Sequence, residues 1–424
     1  MDLNIKKNLQ KRIVIIGGGF AGIEFAKKLK NEDFQVILLD KNNYHTFQPL
    51  LYQVATFGLE PDSIAYPLRR LFHKSSNVLF RMAEVMKIIP QSNQLETSIG
   101  SITYDFLVIA SGSTNNFFDF ESISNKLMPM KSVIDALNLR SYILQNFEKA
   151  LLTNNLSEQE VLMNVAIVGG GPTGVELAGA LGEMKNSVLP FDYAELDLSK
   201  MQIHLFEASP KILSSMSNNA SSKAIKYLNE LGVKVWLHTK VIDYSDNIIT
   251  TDKGEFIKTS NFIWTAGVKG KIIAGIEAKY IVGNRYKVDL FNKLEGYENI
   301  YAIGDVSAMI TVDSPKGFPM LASVAIEQGI NLANNFLRLR KNKNLIPFNY
   351  KNSGTMATVG RNRAVVDLPF FSFQGTFAWF VWMLVHILSL IGFRNKLMAF
   401  FGWVYNYFTY DRAIRLIIRP FNRD

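Results

Sequence analysis

Twice along the chain, a short run of β-branched residues leads through glycines into a stretch with helical spacing. Each copy then enters a second apolar run that ends on an acid. The first copy has Ile13, Val14, Ile15 and Ile16, a helix over residues 23–30, and QVILLD closing on Asp40. The second has the apolar run 165–168, a helix from Gly174 onward, and QIHLFE closing on Glu207. Unbroken apolar runs between glycine turns predict strands buried on both faces, and strand–helix–strand order predicts a parallel sheet. Two copies of one unit predict an internal duplication. Further strands are expected in FLVIAS (106–111), NFIWTAG (261–267) and NIYAIGD (299–305). Residues 132–155 read as a helix leading into the second copy, and 228–244 as helix, glycine stop and strand.

The pattern changes after Asp367. Residues 368–410 contain no Asp or Glu, and the 26 residues from 368 to 393 carry no charge if His386 is neutral. That length could span a bilayer, which takes about 20 apolar residues. Gln374, Gly375, Ser389 and a heavy aromatic load, with Trp379, Trp382 and Trp403 among it, fit an interfacial segment better. Beyond it, Arg412, Arg415 and Arg419 recur at helical spacing on one face, with Ile414, Ile417 and Ile418 on the other. That is the pattern of an amphipathic helix on anionic headgroups.

Each glycine turn carries G-x-G-x-x-G: Gly17, Gly19 and Gly22 in the first, Gly169, Gly171 and Gly174 in the second. The first glycine permits the tight turn, the second lets backbone approach a pyrophosphate, and the third brings helix against strand. The phosphates then meet free N–H groups at the helix N-terminus. Asp40 lies 18 residues after Gly22, where a carboxylate can accept hydrogen bonds from a ribose. Glu207 follows Gly174 by 33 residues, so an insertion lengthens the helix or adds a loop; an acid there repels a 2′-phosphate and favours NADH over NADPH. One such fingerprint can be an ordinary tight turn. Two, each with its acid, point to two dinucleotides, and the usual pair for hydride transfer is a flavin and a nicotinamide.

Composition narrows the chemistry. At 424 residues, 48% hydrophobic and 20% charged, the chain is globular and long enough for two or three domains. It has no cysteine, which excludes disulfide reductase and sulfide:quinone chemistry, thiolate metal sites and cysteine-ligated clusters. An organic cofactor has to carry the electrons, and no metal is called for. The net charge of +9 includes an excess of four in the last 31 residues, mixed with aromatics, and elsewhere is scattered without a basic run. No nucleic-acid partner is expected. MDLNIKKNLQKR has no apolar segment, so no secretory signal is expected at this end.

HTFQPLLYQVATFGLEPDSIAYPLRRLF (45–72), VIASGS (108–113), WTAGV (264–268), IYAIGD (300–305) and MATVGRNRAVVDL (356–368) add a specific likeness. With the two glycine turns they resemble the two-dinucleotide-binding flavoprotein reductases. Among these the chain looks like the type II NADH dehydrogenases, single-chain NADH:quinone oxidoreductases that pump no protons. The resemblance implies an α/β fold with two Rossmann-like, glutathione-reductase-like FAD/NAD(P)-binding domains and a C-terminal amphipathic helical membrane anchor. It divides the chain into a first FAD-binding part (1–125), a helical connection (126–160), an NADH-binding domain (161–290), a second FAD-binding part (291–368) and anchoring helices (369–424).

By that resemblance, non-covalent FAD lies on Gly17, Gly18, Gly19, Phe20, Ala21 and Gly22, with Asp40, Lys41, Pro49 and Ala110. Gly304 lets the flavin approach, Asp305 holds its ribityl chain, and Leu321 and Ala322 open a helix whose dipole stabilises the reduced ring. NADH, the substrate, lies on Gly169, Gly171, Pro172, Thr173 and Gly174, with Glu207, Ala266 and Gly267. Glu176, in the first helical turn, is the catalytic candidate, orienting the nicotinamide or relaying a proton; a plain acid at a helix N-terminus is the alternative. The quinone candidates are Gln48, Gln53, Ser323 and Glu327, the last two replacing the glutamines of the family's A-Q-x-A-x-Q. Trp379, Trp382, Trp403, Arg412, Arg415 and Arg419 are expected at the membrane. The expected protein is a peripheral, homodimeric enzyme on the cytoplasmic face of a bacterial inner membrane, using menaquinone or ubiquinone. A soluble diaphorase or ferredoxin reductase, and a flavin-bound NADH sensor, are the rival readings.

Overall fold

The computed structural model describes residues 3–409, 415–417, 420 and 421. Arg412 and Arg419, with Ile414 and Ile418, lie outside the described residues. The chain forms two compact units, each drawn from three segments: Met1–His45, Tyr66–Thr114 and Val268–Lys351 in one, Thr46–Ala65, Asn115–Gly267 and Asn352–Asp424 in the other.

In the first unit, Arg12–Ile16 is buried along its whole length at the centre of a five-stranded parallel sheet. The order is Ile300–Ala302, Phe106–Ile109, Arg12–Ile16, Gln35–Asp40 and Val78–Met82. Strands covered on both faces are continuous apolar runs, which is why no alternation shows in the sequence. The helix Phe20–Lys28 returns the chain from the glycine turn, and the helix Ala322–Arg340 packs closely against it. Gly329 makes that approach possible: a Cβ there would stand 2.4 Å from the Ala21 carbonyl oxygen.

The second unit repeats the plan in the order Met128–Pro129, Asn261–Trp264, Val165–Val168, Ile203–Phe206 and Val233–Trp236, again all parallel. Its glycine-turn helix runs Pro172–Ser187, and a single helical turn at Leu189–Asp192 plus a loop fill the long gap before Glu207. The helix expected over 132–155 is two helices, Val133–Leu151 and Leu156–Met163. Asn155 makes the break, its side chain accepting the Ser157 and Glu158 N–H groups as a cap.

The tail is a pair of helices, Thr376–Ser389 and Phe393–Thr409, that follow a small antiparallel sheet of Thr355–Thr358, Ala364–Asp367 and Ser372–Gln374. Among the described residues no helix is long and apolar enough to cross a membrane. On the first helix Ala378 and Trp382 point inward, while Phe377, Phe380, Leu384 and Leu388 are exposed. On the second, Asn395, Ala399 and Trp403 point inward, while Phe393, Leu397, Phe401 and Phe408 are exposed. Asn395 Nδ2 donates to the carbonyls of Asp62 and Ala65, both at 2.9 Å, and Asn406 Nδ2 to that of Gly58 at 3.0 Å. At the far end the Arg361 guanidinium donates to the Asn406 and Tyr407 carbonyls at 2.7 and 2.9 Å, satisfying groups a helix C-terminus leaves open.

The tryptophans correct the expectation for this tail. Trp382 is 1% and Trp403 7% exposed, so neither faces outward, and Trp379 is half-buried; the outward face is phenylalanine and leucine. An indole N–H needs a partner or a tight seat, and the protein supplies it: Trp403 Nε1 donates to Gln53 Oε1 at 2.6 Å. Arg415 lies 2.5 Å from Asp192 Oδ2 and is paired within its own unit.

Candidate functional site

The two glycine turns have the same geometry. Gly17 and Gly169 both sit at φ +110°, a region closed to side chains. Their N–H groups donate to Leu39 O at 2.8 Å and Phe206 O at 2.9 Å, in the neighbouring strand of each sheet. A Cβ on Gly17 would lie 2.1 Å from the Ala110 carbonyl oxygen, and one on Gly169 2.7 Å from the Ala266 nitrogen, so each turn is pressed against its own crossover loop. Gly22 and Gly174 close against the carbonyls of Gly17 and Gly169. By contrast, a Cβ on Gly19 or Gly171 would meet nothing within 4 Å. That space lies over the bare N-terminus of a helix with no side-chain cap in either copy. Open backbone, free amides and a helix dipole fit a pyrophosphate, so both turns can accept a dinucleotide.

The acids do more than the sequence indicates. Asp40 Oδ2 accepts the Gly18 N–H at 2.7 Å, and its Oδ1 accepts the Asn42 N–H at 2.7 Å. Glu207 repeats this, Oε2 with Gly170 N–H at 2.7 Å and Oε1 with Ser209 N–H at 2.8 Å. Each carboxylate thus locks its glycine turn and offers only its remaining lone pairs to a ribose. Burial lifts the Asp40 carboxyl above its usual range, opposed by those two N–H donors.

The first turn has one feature the second lacks. His45 Nδ1–H donates to Gly18 O at 3.1 Å, where the second turn uses the Leu213 amide on Gly170 O at 2.7 Å. Burial lowers the imidazole to about 4, so it is neutral, and its Nε2 is buried without a partner, edge-on to Phe20. An unpaired buried nitrogen beside the open backbone is a further sign of a polar ligand here.

Elsewhere in this unit, Gly304 adopts φ +75° and its N–H donates to the buried Gln328 Oε1 at 2.7 Å. Ser113 Oγ donates to Asp305 Oδ2 at 2.5 Å. Gln328 and Ser113 were not singled out in the sequence; their partners lie 24 and 192 positions away. Leu321 precedes the Ala322–Arg340 helix, which has no side-chain cap. Ser323 Oγ and Tyr350 OH are 3.0 Å apart, and Glu327 is half-buried on the same helix. Lys41 is exposed. Gln48, Pro49 and Gln53 belong to the other unit, where exposed Gln48 accepts from Lys131 Nζ at 3.2 Å.

In the second unit Pro172 and Thr173 are exposed at the start of the helix, and Gly267 adopts φ +74° after Ala266. Glu176 is buried one turn further on. It accepts a long hydrogen bond, 3.4 Å from Thr358 N–H, and burial pushes its carboxyl up to about 8. It is therefore protonated at neutral pH. An open cleft lies alongside, walled by Tyr52, Gln53, Thr358, Arg361, Trp382 and Trp403 among others.

Two parallel sheets, each with an acid-locked glycine turn, define the class: a two-dinucleotide flavoprotein oxidoreductase. A family model for pyridine nucleotide-disulphide oxidoreductases matches residues 11–329, and one for the NDH2 C-terminal domain matches 352–410. The type II NADH:quinone oxidoreductase NdhA of Mycobacterium tuberculosis is 34% identical over 411 residues, 92% of this chain and 86% of that protein. The Ndh protein of the same organism is 31% identical, over 95% and 89%. In fold, the chain superposes on the NADH complex of Plasmodium falciparum NDH2 with a TM-score of 0.89 at 20% identity, covering 97% and 100% of the two chains. The sulfide:quinone oxidoreductase of Aquifex aeolicus follows at 0.72 and 20%, covering 94% and 95%. This chain belongs to the type II NADH:quinone oxidoreductases, FAD-dependent enzymes that oxidise NADH.

Proposed function

We propose that this chain oxidises NADH with a resident, non-covalent FAD and reduces a membrane quinone, menaquinone or ubiquinone, without pumping protons. The observation that carries the reading is the duplicated turn: two glycine loops of one geometry, each locked by its own acid, provide for two dinucleotides in one chain. When bound, the flavin supplies a two-electron acceptor for a hydride and a two-electron donor for the quinone. The residues around it bind and orient. Gly17–Gly22 hold its pyrophosphate, Asp40 and Lys41 its ribose end, and Ala110, Gly304, Asp305 and Pro49 the rest. Leu321 and Ala322 turn a helix N-terminus toward developing negative charge. Gly169–Gly174, Ala266 and Gly267 hold NADH, and Glu207 disfavours a 2′-phosphate. Glu176, protonated and buried, relays a proton; Gln48, Gln53, Ser323 and Glu327 are the quinone-end candidates.

The outward phenylalanine and leucine faces of the tail helices support seating on a lipid surface. Lys396 and Arg394, the latter paired with Asp62 at 2.9 Å, lie beside them, and cationic side chains there favour anionic lipid. We place the enzyme on the cytoplasmic face of a bacterial inner membrane, and the family likeness implies a homodimer, which sedimentation of the detergent-solubilised protein tests. Phe377, Phe401 and Phe408 replaced together by Ser should weaken partition into anionic vesicles about a hundredfold or more, since each ring gains roughly 1 kcal/mol or more on burial. NADH:ferricyanide activity should stay intact. Unchanged partition would mean that another surface docks.

The deciding experiment is NADH oxidation by the flavin-loaded protein with and without menaquinone and ubiquinone analogues. Quinone-stimulated turnover supports the proposal. Flavin bleaching by NADH without quinone turnover overturns it in favour of a sensor, and turnover only with soluble acceptors favours a diaphorase. Faster turnover with NADPH overturns the role of Glu207.

A further inference from the structure

Glu176 is not itself a wall of the cleft, yet the two groups that face its carboxyl are. Thr358 offers its backbone N–H from the strand Thr355–Thr358, and Trp382 faces it from the tail helix Thr376–Ser389. The Trp382 indole is 1% exposed, and its buried Nε1–H, which faces the Glu176 carboxyl, completes no close hydrogen bond among the described residues. The ring therefore stands between an open cleft and a buried acid.

Its position is fixed from three sides. The His386 ring stacks on it with centroids 4.0 Å apart and planes 24° apart, and His386 Nδ1–H donates to Trp382 O at 2.7 Å. Trp403 packs against it at 5.7 Å and Tyr52 at 6.5 Å. Trp403 is held in turn by Gln53, whose Nε2 donates to Tyr52 OH at 2.9 Å. The elements packed around Glu176 also carry ionisable groups. Glu183 and Arg361 are joined through the Arg361 N–H, and Tyr52, neutral His386, Lys185, His204, Asp192, Lys223, Lys226, Tyr227, Glu230 and Lys234 lie on the same elements. Burial raises the carboxyl, and the Thr358 and Trp382 donors partly oppose that.

We propose that Trp382 is a positioning residue for quinone reduction: the tail closes this indole over the Glu176 carboxyl, keeps cleft water from it, and aims its N–H at it. The inference rests on reading Glu176 as a proton relay. NADH + H⁺ + quinone gives NAD⁺ + quinol, so one of the quinol's two protons arrives with the hydride and one comes from solvent. Glu176 O–H gives up the second, and a proton from solvent restores it.

The test compares the pH profiles of quinone-supported and ferricyanide-supported turnover in flavin-loaded W382F, W382A, E176Q and E176Q/W382A. W382F keeps the wall but removes the donor that favours the carboxylate, so the apparent pKa of quinone turnover moves up. W382A admits water, so it moves down toward the ordinary carboxylate range, and turnover at pH 7 falls about tenfold or more. These opposite displacements disappear in the E176Q background, and ferricyanide turnover keeps its profile in W382F and W382A. A wild-type profile in folded, flavin-containing W382F and W382A overturns the role of Trp382 alone. So does the same displacement with E176Q present. A wild-type profile in E176Q overturns the relay itself, and the proposal with it.

Discussion

Gly19→Ala should yield a folded protein that no longer keeps its flavin. A methyl at position 19 meets nothing within 4 Å, and the residue lies at φ −76°, which alanine adopts freely. Alanine is a poorer helix N-cap than glycine, which costs about 0.5–1 kcal/mol. It also lowers the entropy of the unfolded chain by a similar amount, about 0.4–1 kcal/mol. The flavin-free protein should therefore melt near the wild-type temperature. The methyl does occupy the space where a pyrophosphate needs backbone at close range, so flavin affinity should fall at least about tenfold. Gly17→Ala is the contrast. Its Cβ would stand 2.1 Å from a backbone oxygen at φ +110°, so the flavin-free protein itself should be destabilised, by roughly 1–3 kcal/mol for the strained backbone and more for the clash. Flavin absorbance per chain and the melting temperature of the flavin-free forms separate the two. Full flavin affinity in Gly19→Ala would mean that the first turn does not hold the cofactor. Gly171→Ala should raise KM for NADH with flavin content unchanged.

Much of this was legible because local chemistry repeats. The buried strands, the glycine spacing and the closing acids all follow from short-range rules, and the structure builds both turns on them. What stayed hidden depends on partners far along the chain. Asp40 reads as a ribose ligand, but its bond to Gly18 N–H shows only when strand and turn are side by side. Arg361 closes the end of a helix more than forty residues later. The tail holds an instructive miss. Tryptophan content pointed to the membrane, whereas helical spacing carried the better signal. Asn395, Ala399 and Trp403 recur at every fourth position and share the inward face, while Phe377, Phe380, Leu384 and Leu388 share the outward one. Composition describes a segment, and periodicity assigns its sides. The break at Asn155 was available too, since an Asn followed by Ser and Glu is a cap as well as a helix interior.

Glu176→Gln should have opposite effects on stability and turnover, and pH should separate them. The carboxyl is raised from 4.5 to about 8 by burial. Below pH 4.5 both the native and the unfolded protein hold this proton, so nothing is lost. Between 4.5 and about 8 the unfolded chain releases it while the native state keeps it, so stability declines as pH rises; above about 8 the loss is complete. Glutamine has no proton to release. The variant should match the wild type in acid, and its melting temperature should gain on the wild type steadily up to about pH 8 and then run parallel. The accumulated difference is of the order of a few kcal/mol, reduced by whatever bonds the amide fails to make at Thr358. Quinone-supported turnover should fall by roughly 10²-fold or more, the usual worth of a positioned proton donor, while ferricyanide reduction, which takes up no proton, should change far less. Parallel stability curves over the whole range would mean that the carboxyl is not held protonated. A more stable variant with undiminished quinone turnover would mean that the buried acid serves neither stability nor the reaction. A stability gain joined to a loss confined to the quinone would identify the carboxyl as a group kept, at a cost to the fold, for the proton it delivers.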